Sequence, residues 1–440
     1  MKEGGIISIT IIDAPCGAGK TSWAIQEIQR NTDTPYVYCT PFLDEIARIR
    51  DECGCHRFKE PLPYNGTKID DFNNLLARGE SVAVSHVTFL NATPETIEAI
   101  REGGYTLILD EVLDVVCEFN KIQGVEDSPE QAIRDGDISM LFDKRLIEIE
   151  DGYKVKWCGG EYGREFKFYV LMRMAKLGRL YYARDSLFVA IYPPEIFRAF
   201  ENAYILTYMF RGSVLKPYFE LFKLTFSMWS IIKGENEYTI IPYNDTLDKE
   251  FRQHSKALVS ICENKALNKN RTLSVSWFKS VNPDSLKQLK NDIGTYFNRV
   301  LKNAKASNGD IMWTCPADYK ARLSGKGYTY SRPMTRKEKE LPERERKELE
   351  KRLSCFVPCN SKATNIYGNR WALAYCINMN QNPLIIGFFE DCGVEFDRNG
   401  YSLSCLIQWM YRSRIRNGQP ISIYIPSKRM RNLLIEWMSV

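Results

Sequence analysis

The segment Ala14-Pro15-Cys16-Gly17-Ala18-Gly19-Lys20-Thr21 follows an apolar run, Ile6 to Ile12, and precedes helical text from Ser22 to Asn31. Strand, glycine loop, Lys-Thr and helix in that order make a phosphate-binding loop, which demands a buried parallel strand behind it and a helix N-terminus in front. The run Ile6-Ile7-Ser8-Ile9-Thr10-Ile11-Ile12 is short, rich in β-branched residues and stopped by Asp13, as such a strand should be. Gly17 and Gly19 let backbone N–H groups turn inward around a polyphosphate, within a cradle that runs from Pro15, Cys16 and Ala18 to Ser22. Lys20 is placed to reach the β- and γ-phosphates, and the Thr21 hydroxyl to ligate Mg²⁺. Ala14 stands where the usual pattern has its first glycine. An ordinary tight turn is the bland alternative, and the flanking strand and helix argue against it. ATP with Mg²⁺ is the expected ligand.

A chain of 440 residues is long for one core, so two or three domains are expected. Its hydrophobic share of 44% and charged share of 26% are ordinary for a globular protein. No apolar run is long enough for a membrane helix, and the N-terminus shows no signal segment, so the expected location is the cytoplasm, the host's if the chain is viral. Thirteen cysteines are scattered singly and read as small buried hydrophobes in a reducing compartment. Cys53-Gly54-Cys55-His56 tempts as a metal cluster, but its spacing is poor for zinc and no second close pair is near. No resident metal beyond Mg²⁺ is expected. The net charge of +5 resides in the last forty residues, where Arg412, Arg414, Arg416, Lys428, Arg429 and Arg431 face Glu436 alone. Such a concentration suggests an anionic partner, nucleotide or nucleic acid.

Residues 1 to about 115 alternate short apolar strands with helical stretches, the pattern of a parallel α/β sheet. After the first strand come Tyr36–Cys39, Ser81–Val84 and Tyr105–Leu109, each followed at once by polar or turn residues. Functional groups of open α/β sheets collect at such carboxyl ends. Residues 117–185 read as an accessory insertion with a hairpin, Leu146–Ile149 and Tyr153–Trp157. Strand-like text returns at Ala190 and Tyr204. A second α/β unit is expected from near residue 240, with strands at Leu273–Phe278, Ile311–Thr314, Leu353–Val357, Leu384–Phe389 and Ile421–Ile425. The mixed-charge run from Thr335 to Lys351 reads as an exposed helix or loop. The expected division is an ATP-binding lobe over 1–235 and a second lobe over 236–440.

Leu107-Ile108-Leu109-Asp110-Glu111 is the expected partner of the phosphate loop. A buried strand delivers Asp110 to the Mg²⁺ shell, and Glu111 positions or deprotonates the water attacking the γ-phosphate. Thr40-Pro41 and Ser85-His86 follow the second and third strands; they read either as helix caps with a core histidine or as contacts to a nucleic-acid backbone. Gln408, Arg412, Arg414 and Arg416 fall on one expected helix, and a guanidinium from a second lobe can stabilise charge developing on a γ-phosphate.

These motifs, in order, resemble a superfamily-two DEAD/DEAH-type helicase, nearest the divergent versions of phages and mobile elements. The resemblance implies two RecA-like P-loop lobes with parallel sheets, ATP between them, and a single nucleic-acid strand, DNA or RNA, crossing both. It carries Gly17, Gly19, Lys20 and Thr21 over as the first motif and Asp110 and Glu111 as the second. Thr40 with Pro41, and Ser85 with His86, become backbone contacts. Gln408 and Arg412 match the last motif, whose second arginine falls at Ile415, so Arg414 and Arg416 compete for that role. Ile205–Ser213 sits where the family couples its lobes, and Ala363-Thr364-Asn365 and Gly393–Asp397 match a further motif loosely. Thirteen residues before the loop leave little room for an adenine-reading glutamine motif, and Leu113 departs from the second motif's usual fourth residue. The implied activity is nucleic-acid-stimulated ATP hydrolysis driving a helicase or translocase on single-stranded DNA, in phage replication or recombination, beside replication proteins. A packaging-type motor without strand separation shares every motif. A P-loop small-molecule kinase predicts one lobe and no arginine cluster, and a hydrolysis-dead switch predicts no Glu111.

Overall fold

In the computed structural model, residues 9–440 are described apart from 42, 54–57, 64–65, 123–124, 126–128, 135, 185–186, 302–306 and 360–364. Cys55 and His56 of the Cys-Gly-Cys-His segment, and Ala363 and Thr364 of the loosely matched motif, lie outside the described residues. The chain divides into two compact units, one comprising residues 1–14, 18–243 and 381–398, the other 15–17, 244–380 and 399–440.

The first unit begins with β1 (Ile9–Asp13), α1 (Lys20–Arg30), β2 (Tyr36–Thr40), α2 (Leu43–Glu52), α3 (Lys68–Ala77), β3 (Val82–Ser85), α4 (His86–Leu90), α5 (Pro94–Gly103) and β4 (Thr106–Asp110). β2 and β4 are buried at every position, which is why they read as unbroken apolar runs rather than alternating ones. Helix starts follow local chemistry: Thr67 and Asp70 form a capping box on α3, and Thr93 with Pro94 opens α5.

An accessory region follows, with β5 (Val116–Glu118), β6 (Ile147–Ile149), β7 (Val155–Trp157), β8 (Leu180–Ala183) and β9 (Leu187–Ile191). β6 and β7 form the expected hairpin, and β5-β9-β8 form a small antiparallel sheet. The strand text near Ala190 therefore completes this sheet instead of re-entering the main one. Leu141, Ile147, Val155, Leu171 and Phe188 give the region a core of its own.

β10 (Asn202–Thr207), β11 (Phe226–Lys233) and β12 (Tyr238–Pro242) then close a seven-stranded sheet in the order β12-β11-β1-β10-β4-β2-β3. Every pairing is parallel except β11 with β12. The phosphate loop thus leaves the middle of the sheet, and β10 alone separates β1 from the strand carrying Asp110.

The second unit holds a four-stranded parallel sheet in the order β13-β16-β15-β14, made of β13 (Val259–Ile261), β14 (Ile311–Thr314), β15 (Ala372–Tyr375) and β16 (Ile421–Tyr424). Trp313, Tyr296, Leu289, Ala374 and Tyr424 lie at its core. Three expected strands are corrected here. Leu273–Phe278 is a loop leading into the helix Val275–Ser280, because the Ser274 hydroxyl accepts from Trp277 N and caps a helix start. Leu384–Phe389 is the buried helix Pro383–Asp391, opened by Asn382 and Pro383. It is apolar on all sides, and a short apolar run does not distinguish buried helix from buried strand. This helix belongs to the first unit, where Arg184 reaches Glu390 at 3.0 Å and Asp391 at 3.2 Å and the Tyr181 ring packs edge-on to Phe388. Leu353–Val357 ends the helix Glu343–Leu353 and continues as isolated bridges at Ser354 and Phe356.

Among the described residues the cysteines are free thiols, and no helix is long and apolar enough to cross a membrane.

Candidate nucleotide site

The loop after β1 takes the backbone shape its glycines permit. Gly17 and Gly19 have φ of +86° and +95°, left-handed values that turn successive N–H groups toward one concavity, and Gly19 is the residue from which α1 starts. Across this loop Lys20 Nζ donates to Ala14 O at 2.6 Å, so the buried ammonium is held over the curve of the loop. Thr21 and Ser22 occupy the first turn of α1, where unsatisfied backbone donors and the helix dipole favour an anion.

Asp13, the last residue of β1, is buried and its carboxylate accepts two main-chain donors, Met209 N at 2.8 Å and Phe210 N at 3.1 Å. It thereby ties the root of the phosphate loop to the turn after β10, where Met209 has φ +61°. The Thr207 side chain just before that turn is buried and its hydroxyl has no hydrogen-bond partner. Asp13→Ala, which strands the buried Phe210 N–H and the part-buried Met209 N–H, is expected to lower unfolding free energy by about 1–3 kcal/mol, read as a shifted urea midpoint with unchanged slope. Asp13→Asn, retaining one acceptor, loses less.

Asp110 ends β4 with its side chain buried, receiving the Tyr38 hydroxyl at 3.1 Å. Burial pushes its carboxyl up to about 7; Glu111 and Glu45 add to the rise, while Lys20 and the Tyr38 hydroxyl oppose it. Burial raises the Tyr38 phenol well above its ordinary value, so it remains a donor. Glu111 follows with φ +67°, its N–H donating to Leu206 O of the neighbouring strand. A glutamate in this conformation is a strained residue of the kind that persists where the surroundings over-determine it. Asp110, at the carboxyl end of β4, thus interacts electrostatically with Lys20 at the start of α1 and with its neighbour Glu111.

Oxygen donors are the chemistry Mg²⁺ prefers, and the Asp110 carboxylate and Thr21 hydroxyl are of that type. The loop's two left-handed glycines fit a polyphosphate. No three His, Cys, Asp or Glu side chains gather as a metal cluster among the described residues.

The other candidate residues sit as follows. Thr40 is fully buried at the end of β2, with Pro41 partly exposed after it. Ser85 caps α4 by accepting from Thr88 N, and buried His86 donates through Nε2 to Asp110 O at 3.1 Å. In the second unit, Gln408 lies on the helix Arg398–Met410, which stops short of the arginines. They were expected on one helix; instead buried Ser413 turns back onto Met410 O, and Arg414–Asn417 forms a 3₁₀ turn closed by Gly418. Arg414 donates to Pro420 O at 2.6 Å and stacks over Trp371, whereas Arg416 is exposed. Asp13 and Tyr38 were not found from sequence as site residues, whereas the turn after β10 falls within the segment Ile205–Ser213 singled out above.

A solved structure titled XPD helicase is similar in fold, with a TM-score of 0.50 over 97% of this chain and 94% of that one at 11% identity. At that identity the likeness defines the fold alone: a mixed α/β protein with parallel sheets of the two-lobe helicase type. The solved S. tokodaii Xpd4 covers 98% of this chain and 94% of its own at a TM-score of 0.46 and 11% identity. The family model of the YonV C-terminal Rossmann-like domain matches residues 253–438. The SPbeta prophage-derived uncharacterized protein YonV of Bacillus subtilis (strain 168) is 31% identical over 444 residues, covering 98% of each chain. The chain belongs to the YonV family.

Proposed function

We propose that this protein is a nucleic-acid-stimulated ATPase acting as a helicase or translocase on single-stranded DNA, in the DNA replication or recombination of a phage or prophage. The observation that carries the reading is the electrostatic interaction of Asp110 with Lys20 and Glu111, together with a loop that has two left-handed glycines. Charge at the γ-phosphate is met by Lys20, and Glu111 orients or deprotonates the attacking water. Asp110 and Thr21 would hold Mg²⁺, which would supply positive charge to neutralise the phosphate oxygens. The arginine proposed to meet charge on the γ-phosphate is one of Arg412, Arg414 and Arg416. The prophage origin in the relative's name supports the phage setting, and the helicase fold supports a nucleic-acid track.

The test is steady-state ATP hydrolysis with and without single-stranded DNA or RNA. Stimulation by one polymer is expected, with Lys20→Ala lowering the stimulated rate by about 100-fold or more. Hydrolysis indifferent to both polymers overturns the motor reading.

A further inference from the structure

Tyr238 lies directly against the phosphate loop. A Cβ placed on Gly19 would stand 2.0 Å from Cε1 of the Tyr238 ring, so any side chain here would have to displace that ring, besides meeting the strain of its φ. The β11–β12 hairpin is pinned there by three ties to α1. Tyr238 N donates to Gln26 Oε1 at 2.9 Å, Gln26 Nε2 donates to Asn236 O at 3.5 Å, and Arg30 pairs with Glu237. Positions 19, 22, 26 and 30 succeed one another at helical spacing, so the hairpin follows the face of α1 that starts at the loop. The ring packs against the buried core of the first unit, as Ala18, Tyr204 and Ile240 also do, yet keeps part of its surface exposed. The ammonium of Lys233, itself exposed, stands 6.0 Å from the ring centroid, the outer limit of a cation–π contact.

We propose that Tyr238 is the base-contacting residue of the nucleotide site, stacking on the nucleobase of a triphosphate whose phosphates occupy the loop. This rests on the nucleotide-binding role proposed for the loop. The loop fixes the β- and γ-phosphates between Gly17 and Thr21, so the nucleoside, at the other end of the triphosphate, must leave beside the loop and the first turn of α1. Tyr238 presents an aromatic surface at that place, on a hairpin whose ties to Gln26 and Arg30 hold it in register with the loop. Stacking uses the π-face every base has and reads no hydrogen-bonding edge. The site is therefore tolerant of base identity, with ATP and GTP bound within a few-fold of each other.

Calorimetric titration of the full chain, in Mg²⁺, with ATP, GTP and inorganic tripolyphosphate separates the outcomes. Tyr238→Ala is expected to weaken ATP and GTP about 5- to 100-fold while tripolyphosphate binds as to wild type. Tyr238→Phe should bind all three within about two-fold of wild type, since the ring and not the hydroxyl is used. Tyr238→Leu keeps apolar packing on Gly19 without a π-face, and should follow the alanine variant even if the latter folds poorly. Equal weakening of ATP and tripolyphosphate overturns the proposal, making Tyr238 a prop for the loop. Unchanged ATP binding by the alanine and leucine variants also overturns it while leaving the nucleotide reading intact. A wild-type chain that binds neither ATP nor tripolyphosphate fails that reading, and this inference with it.

Discussion

Glu111→Gln lowers the nucleic-acid-stimulated hydrolysis rate by about 10²- to 10⁴-fold while ATP binding stays within a few-fold of wild type. That range is what a positioned general base contributes. Glutamine matches glutamate in shape, so the backbone at φ +67° and its bond to Leu206 O are undisturbed, and only the ability to take a proton is lost. Binding is expected to survive because the phosphates are held by the loop and Lys20, neither of which the change touches. Equilibrium binding and single-turnover hydrolysis measured on the same preparation check both halves. Equal loss of binding and rate would make Glu111 a structural residue of the loop. An unchanged rate would remove it from the chemistry.

What could be read from the sequence, and what could not, follows from the range of the interactions concerned. The first sheet was legible because its strands are buried on both faces and end in turn chemistry, so Tyr36–Thr40 and Thr106–Asp110 announce themselves within a few residues. The glycine loop and Asp110-Glu111 are legible for the same local reason. Asp13 was read only as the stop of a strand, since its partners Met209 and Phe210 lie nearly two hundred residues on. The contact of Tyr238 with Gly19 is equally remote in the chain. In the second unit the signal failed differently. Leu384–Phe389 is apolar because a helix is buried all round, and β13 and β15 have three and four residues, too few to show a period. The arginine spacing from 408 to 416 suggested one helix, and nothing in that spacing reveals that Ser413 turns the chain.

Asp110→Asn is expected to make the metal-free protein more stable at pH 8 while abolishing Mg²⁺-dependent hydrolysis. The Asp110 carboxyl is raised from 3.8 to about 7, chiefly by burial, so its proton is held more tightly in the folded chain than in the unfolded one. The sign follows directly: between about pH 4 and pH 7 the folded state binds the extra proton, so stability falls as pH rises through that window. At pH 8 the full penalty of an ionised carboxylate in a buried position applies, on the order of 4 kcal/mol, since each tenfold change in proton affinity is worth about 1.36 kcal/mol. Asparagine keeps an acceptor for the Tyr38 hydroxyl and carries no charge, so it escapes the penalty at every pH. Chemical denaturation with chelator present, at pH 5 and pH 8, should show the variant gaining most at pH 8 and less than half as much, about 1.7 kcal/mol, at pH 5, where the unfolded carboxyl is already ionised. Added Mg²⁺ and nucleotide should then narrow the gap at pH 8 by stabilising wild type more than the variant, which lacks the carboxylate ligand for the ion. A variant less stable than wild type at pH 8 without metal would show that Lys20 and Tyr38 already compensate the charge. Asp110 would then be a structural ion-pair partner, and its buried position would owe nothing to a divalent ion.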